Sequence, residues 1–131
     1  MPLTPHGFVA DYTTYFLEVC SAEEASYLVS VLNAPVVNAA IKDAQAKGLW
    51  GPRHVSKRVL DLPIPLFDEK NKAHRQLAEL GERCARKVQD WIQSGGPGSI
   101  RSIGLLRNRV RQHLHAELTA IDAIVKPMLG L

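Results

Sequence analysis

Residues 77–125, LAELGERCARKVQDWIQSGGPGSIRSIGLLRNRVRQHLHAELTAIDAIV, decide the fold. Leu77, Leu80, Cys84, Val88 and Trp91 recur at spacings of three and four, which lines them up along one stripe of a helix. Asp68 is the expected cap of that helix, and Gln93 is its approximate end. SGGPGS at 94–99 interrupts the pattern and is the most linker-like stretch in the chain. Beyond it Leu106, Val110, Leu114, Leu118, Ile121 and Val125 form the apolar face of a final helix. That helix is expected to start near Ser99 or Ser102, with Pro127 limiting its end. Two long amphipathic helices joined by a short glycine-rich turn predict an antiparallel hairpin with Trp91 and the leucine stripe in the core.

Upstream of the hairpin the pattern changes twice. VLDLPIPLF at 59–67 reads as an extended crossing, because Pro63 and Pro65 forbid a helix and a central strand alike. GLWGPRHVSKR at 48–58 reads as a basic loop, with Gly48 stopping the helix before it. That helix restarts the chain at Pro35, suited to a first helical position, and buries Val36, Val37, Ala40, Ile41 and Ala44. Ser21 caps an earlier helix: its hydroxyl serves the first turn while Glu24 reaches back to its amide. Tyr27, Leu28, Val31 and Leu32 follow at helical spacing, and the helix ends near Asn33 because Pro35 disfavours helical geometry at Ala34. FVADYTTYFLEV at 8–19 is β-branched and aromatic, predicting a strand over Thr13 to Val19 and a second short one from Phe8. The expected class is therefore α+β and mainly helical. A short N-terminal strand pair leads to two short helices, a basic loop, a Pro-rich extended segment and a C-terminal antiparallel helical hairpin.

A chain of 131 residues and 14.5 kDa suits a single domain over 1–131. With 46% hydrophobic and 22% charged residues it has the composition of a soluble globular protein. Its core must be aliphatic, since only three Phe, three Tyr and two Trp are available. No apolar run approaches the roughly eighteen residues of a membrane span, and no signal-peptide pattern opens the chain. A cytoplasmic location is the expectation, in which Cys20 and Cys84 are buried thiols with no disulfide between them.

Catalytic motifs are scarce. The chain has no glycine-rich phosphate loop, no Gly-x-Ser-x-Gly and no His-Glu-x-x-His. His113, His115 and Glu117 come nearest to a ligand cluster, but only His113 and Glu117 share a helical face, which predicts a solvated local pair. Asp11 with Glu18, or Asp61 with Asp68, are not distinguishable from caps and surface charges.

Charge is more informative. The net charge is +3 and the pI near 9.0, mildly basic. No acid occurs from Gln45 to Leu60, where Lys47, Arg53, Lys57 and Arg58 are accompanied by Trp50 and His54. Ser94 to Ala116 is also acid-free and carries Arg101, Arg107, Arg109 and Arg111. Arg107 and Arg111 fall on one helical face, with Arg109 roughly opposite. Such residues can bind phosphates and present Arg or Trp to bases. Either cluster also suits a plain solvated face, and Trp50 also suits packing of the loop onto the core.

At this point the chain resembles a family. YFLEVCSAEEASYLVSVLNAPVVNAAIK at 15–42 is similar to the opening of the C-terminal, TaqI-like specificity region of N6-adenine DNA methyltransferases of restriction-modification systems. The similarity continues in the corner Leu32-Asn33-Ala34-Pro35 and in the basic loop residues Gly51, Pro52, Arg53 and His54. It extends through Leu62-Pro63-Ile64-Pro65, His74 with Leu77 to Gly81, and the C-terminal Ile121, Asp122, Gly130 and Leu131. The resemblance implies DNA target recognition by a non-catalytic C-terminal fragment of a larger methyltransferase. Its catalytic half would bind S-adenosylmethionine and grip the flipped adenine; neither motif is in this chain, so no cofactor is expected here. The implied partners are double-stranded DNA and the catalytic domain of the same parent chain. Trp50, Arg53, His54, Lys57 and Arg58 are the expected DNA contacts, with Arg107 and Arg111 as further phosphate contacts. This sequence departs from the family in its low strand content, which bears on direct base reading more than on DNA association. A protein-interaction reading stands beside it, in which the C-terminal helices form a homodimer or dock on a catalytic or specificity subunit.

Overall fold

The first helix begins where its cap is satisfied. The Ser21 hydroxyl accepts from the Glu24 amide at 3.1 Å, and the Glu24 carboxylate accepts from the backbone of Cys20 at 2.6 Å. This is the expected capping box, its return bond reaching Cys20 instead of Ser21. The computed structural model describes residues 17–45 and 61–131, which form five α-helices. They are α1 (Ala22–Asn33), α2 (Pro35–Gln45), α3 (Lys72–Gln93), α4 (Ile103–His113) and α5 (His115–Leu129).

No strand occurs among the described residues, so the α+β expectation is corrected to an all-helical one there. Leu17 to Cys20, the end of the expected N-terminal strand pair, are irregular and exposed. β-branched and apolar residues favour strands when a pleated neighbour covers them. Leu17 is instead 69% exposed, and the Cys20 amide is taken by the helix cap. Cys20 is accordingly an exposed thiol and not the buried one expected, while Cys84 is half-buried and neither forms a disulfide. The rest of that strand pair, Phe8 to Phe16, lies outside the described residues, as does the basic loop at 48–58.

α1 and α3 run antiparallel in close contact. The Ser30 hydroxyl donates to the Leu77 carbonyl at 2.7 Å and lies within 2.9 Å of the Ser26 carbonyl, while Ser26 sits against Gly81. A Cβ on Gly81 would lie 2.5 Å from the Ser26 carbonyl oxygen, so only glycine permits this approach. The corner between α1 and α2 is set by Pro35. Ala34 takes φ −57° and ψ 132°, the extended geometry that a following proline imposes, and is fully buried. Asp122 of α5 then caps α2, its carboxylate accepting from the Val36 amide at 3.0 Å.

The Pro-rich segment closes the other side. Tyr27 donates its hydroxyl to the Pro65 carbonyl at 2.8 Å. Its ring packs against Phe67 and His74, with centroids 5.4 and 4.8 Å away. Burial pushes the Tyr27 phenol above its ordinary range. Leu62 and Ile64 pack against a core of Tyr27, Val31, Val37, Leu77, Ile121 and Val125. Asp68 is not the cap of α3. Its carboxylate accepts from Lys70 in a turn, and its amide donates to His74 Nδ1 at 3.0 Å. Asn71 caps the helix, accepting from Ala73 and His74.

The single final helix expected from the apolar stripe is two helices. The chain bends at Leu114 (φ −97°, ψ 11°), whose side chain is buried, so that α5 enters the core and α4 swings away from it. No side chain of α4 is buried. Within the expected C-terminal hairpin, the antiparallel partner of α3 is therefore α5, which α3 contacts in addition to α1. Lys87 meets Glu117 and Trp91 meets His113, with partner numbers rising as α3 is read backwards. Residues 94–99 are successive tight turns, with Gly95 and Gly98 at positive φ, and Ser102 caps α4. Pro127 lies inside α5 and does not end it. The residue whose carbonyl it leaves without a helical donor, Ala123, is exposed. Gly130 (φ 68°) ends the helix, with Gly130 bonding back to Pro127 and Leu131 to Lys126.

Candidate nucleic-acid and docking interface

The bend at Leu114 borders the larger of two recesses in the described fold. Because α4 leaves the bundle while α5 enters it, a cleft of about 1050 Å³ opens between α4 and the α1–α3 pair. Val29 of α1, Val88 and Ile92 of α3, and Leu106 and Val110 of α4 give it apolar walls. Ile92 is 55% exposed, and beyond the cleft Ile103 and Leu105 are 68% and 60% exposed. Several of the stripe residues expected in the core, Val88, Leu106 and Val110 among them, thus line an open surface.

Arg107 and Arg111 stand one helical turn apart and both line the α4 wall of this cleft. Arg109 points to the other side, into a shallower recess of about 620 Å³ with Trp91, Gln112, His113 and the turn at 96–100. Arg101, Arg107, Arg109 and Arg111 are all exposed, and none forms an ion pair among the described residues. Their charge is therefore available to an external anion. Trp50, Arg53, His54, Lys57 and Arg58, the other expected contacts, lie outside the described residues.

Trp91 is half-buried at the end of the bundle and not in the core. Its indole stacks on His113 at 5.8 Å, and Gly96 lies so close that any side chain there would strike the ring. The expected His113–Glu117 pair does not form. Glu117 bonds through both oxygens to Lys87 at 3.0 and 3.1 Å, and Lys87 also reaches the His113 carbonyl at 3.4 Å. The Lys87 hydrogen bonds hold the Glu117 carboxyl below its ordinary range, although its burial acts the other way. Cys84 lines the cleft beside this pair. Burial and then the Glu117 charge push its thiol up, which keeps it protonated and a weak nucleophile at neutral pH.

The residues that carried the family resemblance have structural work in this fold. Pro35 and Asp122 meet at one junction, and Pro65, His74 and Gly81 all pack against α1. The cleft itself was not read from the sequence. The acid-free, arginine-bearing flank of the stripe at Leu106 and Val110 reads from the sequence as a phosphate contact, and nothing in the spacing marks that part of the stripe as open. Comparison with protein-family models, with curated proteins and with solved structures returned no match for this chain.

Proposed function

We propose that this chain is the DNA target-recognition segment of an N6-adenine DNA methyltransferase of a restriction-modification system, non-catalytic by itself. The observation that carries this reading is the exposed set Arg101, Arg107, Arg109 and Arg111, without an ion-pair partner among the described residues, in a stretch free of acids from Ser94 to Ala116. Exposed arginines without carboxylate partners retain their charge for phosphate, which supplies most non-specific DNA affinity. The basic run at 47–58, with Trp50, Arg53, His54, Lys57 and Arg58, would add phosphate and base contacts. The ordered resemblance, from about residue 8 to residue 131, is what supports this choice of system. In this reading a catalytic domain of the same parent chain holds S-adenosylmethionine and the adenine, and no residue described above is assigned to the cofactor. The working location is the cytoplasm; no helix among the described residues is long and apolar enough to cross a membrane.

The test is duplex binding by charge-removing variants. Arg107→Ala with Arg111→Ala, and separately Arg53→Ala with Lys57→Ala, should each weaken binding and flatten its salt dependence. Each lost phosphate contact should remove roughly 0.9 from the slope of log K against log salt. Unchanged slopes in both variants would remove these residues from the interface.

A second reading, docking on a protein partner, is favoured by the apolar cleft. A groove of about 1050 Å³ walled by aliphatic side chains is poorly suited to a phosphate backbone and well suited to a helix.

A further inference from the structure

We infer that the cleft between α1, α3 and α4 receives an amphipathic helix of a partner protein whose apolar stripe is flanked by carboxylates. The inference deepens the docking reading and rests on it, independently of DNA. Three properties of the cleft select this occupant.

Its walls allow a backbone to come close. Ala22, Ala25 and Ser26 on α1 and Ala85 on α3 line it, so a helix can approach until its own larger side chains fill the space between Val29, Val88 and Val110. Its length follows the axes of α1 and α3, from Asn33 and Asn38 at one end to Gln93 at the other. Grooves of this kind are read by anchors at i, i+3, i+4 and i+7.

Its charge is of one sign. Among the residues lining it there is no Asp, Glu or Lys; the two charged ones are Arg107 and Arg111, one turn apart on the α4 wall. Both lack a carboxylate partner among the described residues. A helix carrying Glu or Asp on the flank facing α4 would supply two, and would exclude a basic helix by like-charge repulsion.

Among the described residues, α4 of a second copy does not meet this description. The exposed apolar residues of α4, Ile103 and Leu105, share their helix with the same two arginines. Seating α4 of a second copy in the cleft would bring four guanidinium groups together. On α3 the acid Glu82 already faces Arg86 at 3.6 Å.

The experiment uses the full chain carrying Cys20→Ser, so that Cys84 in the cleft is the remaining thiol. It is panned against displayed amphipathic helices of about five turns, with a fixed leucine stripe and flanks randomised among Glu, Gln and Lys. The expected result is enrichment of Glu on one flank, in peptides that slow iodoacetamide labelling of Cys84. Affinity for them should fall about tenfold in Arg107→Glu with Arg111→Glu, while Lys-flanked peptides gain. Enrichment of Gln or Lys flanks in peptides that still protect Cys84 overturns the acidic occupant and leaves docking standing. No enrichment, or enriched peptides that leave Cys84 labelling unchanged, overturns the docking reading as well. Concentration-dependent mass with Cys84 protected in the absence of peptide assigns the cleft to a second copy and also overturns the inference.

Discussion

Single residues decide how closely the helices meet, and Gly81 is the clearest case. Its Cα lies where a side chain would strike the Ser26 backbone, so Gly81→Ala should push α1 and α3 apart and cost about 1–3 kcal/mol in urea unfolding. An unchanged midpoint would mean that the contact is looser than described. Glu117 makes the pH dependence specific. Its folded-state pKa lies below the ordinary value of 4.5, so the stability it contributes is complete above that value and is lost as pH falls through the depressed one. Glu117→Gln should therefore be destabilised by about 1–2 kcal/mol at neutral pH, and its deficit relative to the parent should shrink in acid. A deficit that stays constant down to the acid transition would show that the carboxylate charge is not what matters. Caps of this kind are only half legible in a sequence. Ser21 with Glu24 is a spacing rule and can be read directly. Asp68 and Asn71 are both able to cap, and what separates them is which side chain faces the Ala73 amide once Asp68 has turned toward Lys70. Gly81 looks like an ordinary helical glycine until α1 is laid against it.

Among the elements, the bend at Leu114 has the largest consequence. Periodicity cannot reveal it, because Leu106, Val110, Leu114, Leu118 and Ile121 keep the same spacing on both sides of the bend. What differs is burial: all of them border the cleft, but Leu114 and Ile121 are buried, whereas Leu106 and Val110 are only half-buried. The stripe was read correctly as a face and incorrectly as one continuous core contact. The corner at Ala34 and Pro35 was legible in full, since the restriction that proline places on its neighbour is local. Its second support was not, because Asp122 comes from α5, 86 residues away. Asp122→Ala should leave the Val36 amide without its acceptor and cost about 1 kcal/mol, with faster amide exchange concentrated at the start of α2. Asp122→Asn keeps an oxygen acceptor and should recover most of the loss. Equal losses in the two variants would assign the effect to charge and not to the cap.

For the molecule as a whole, helical content and helix order were readable from residue 21 onward, because amphipathic stripes and caps are local signals. The strand expected at the N-terminus was inferred from β-branched composition alone, and composition does not supply the neighbour that a strand needs. The partner is less legible still. Basic, acid-free stretches identify the sign of what binds and not its kind, and the described fold adds that the arginines of α4 stand both exposed and beside an apolar cleft. DNA and a helical partner therefore make different demands on one face, and salt separates them. The most direct measurement is binding of the full chain to a pool of duplex DNA as salt is raised from about 50 to about 200 mM. The account predicts measurable affinity at the low end that falls steeply and linearly on a log–log plot. Absence of binding at low salt, or an affinity indifferent to salt, would contradict DNA recognition.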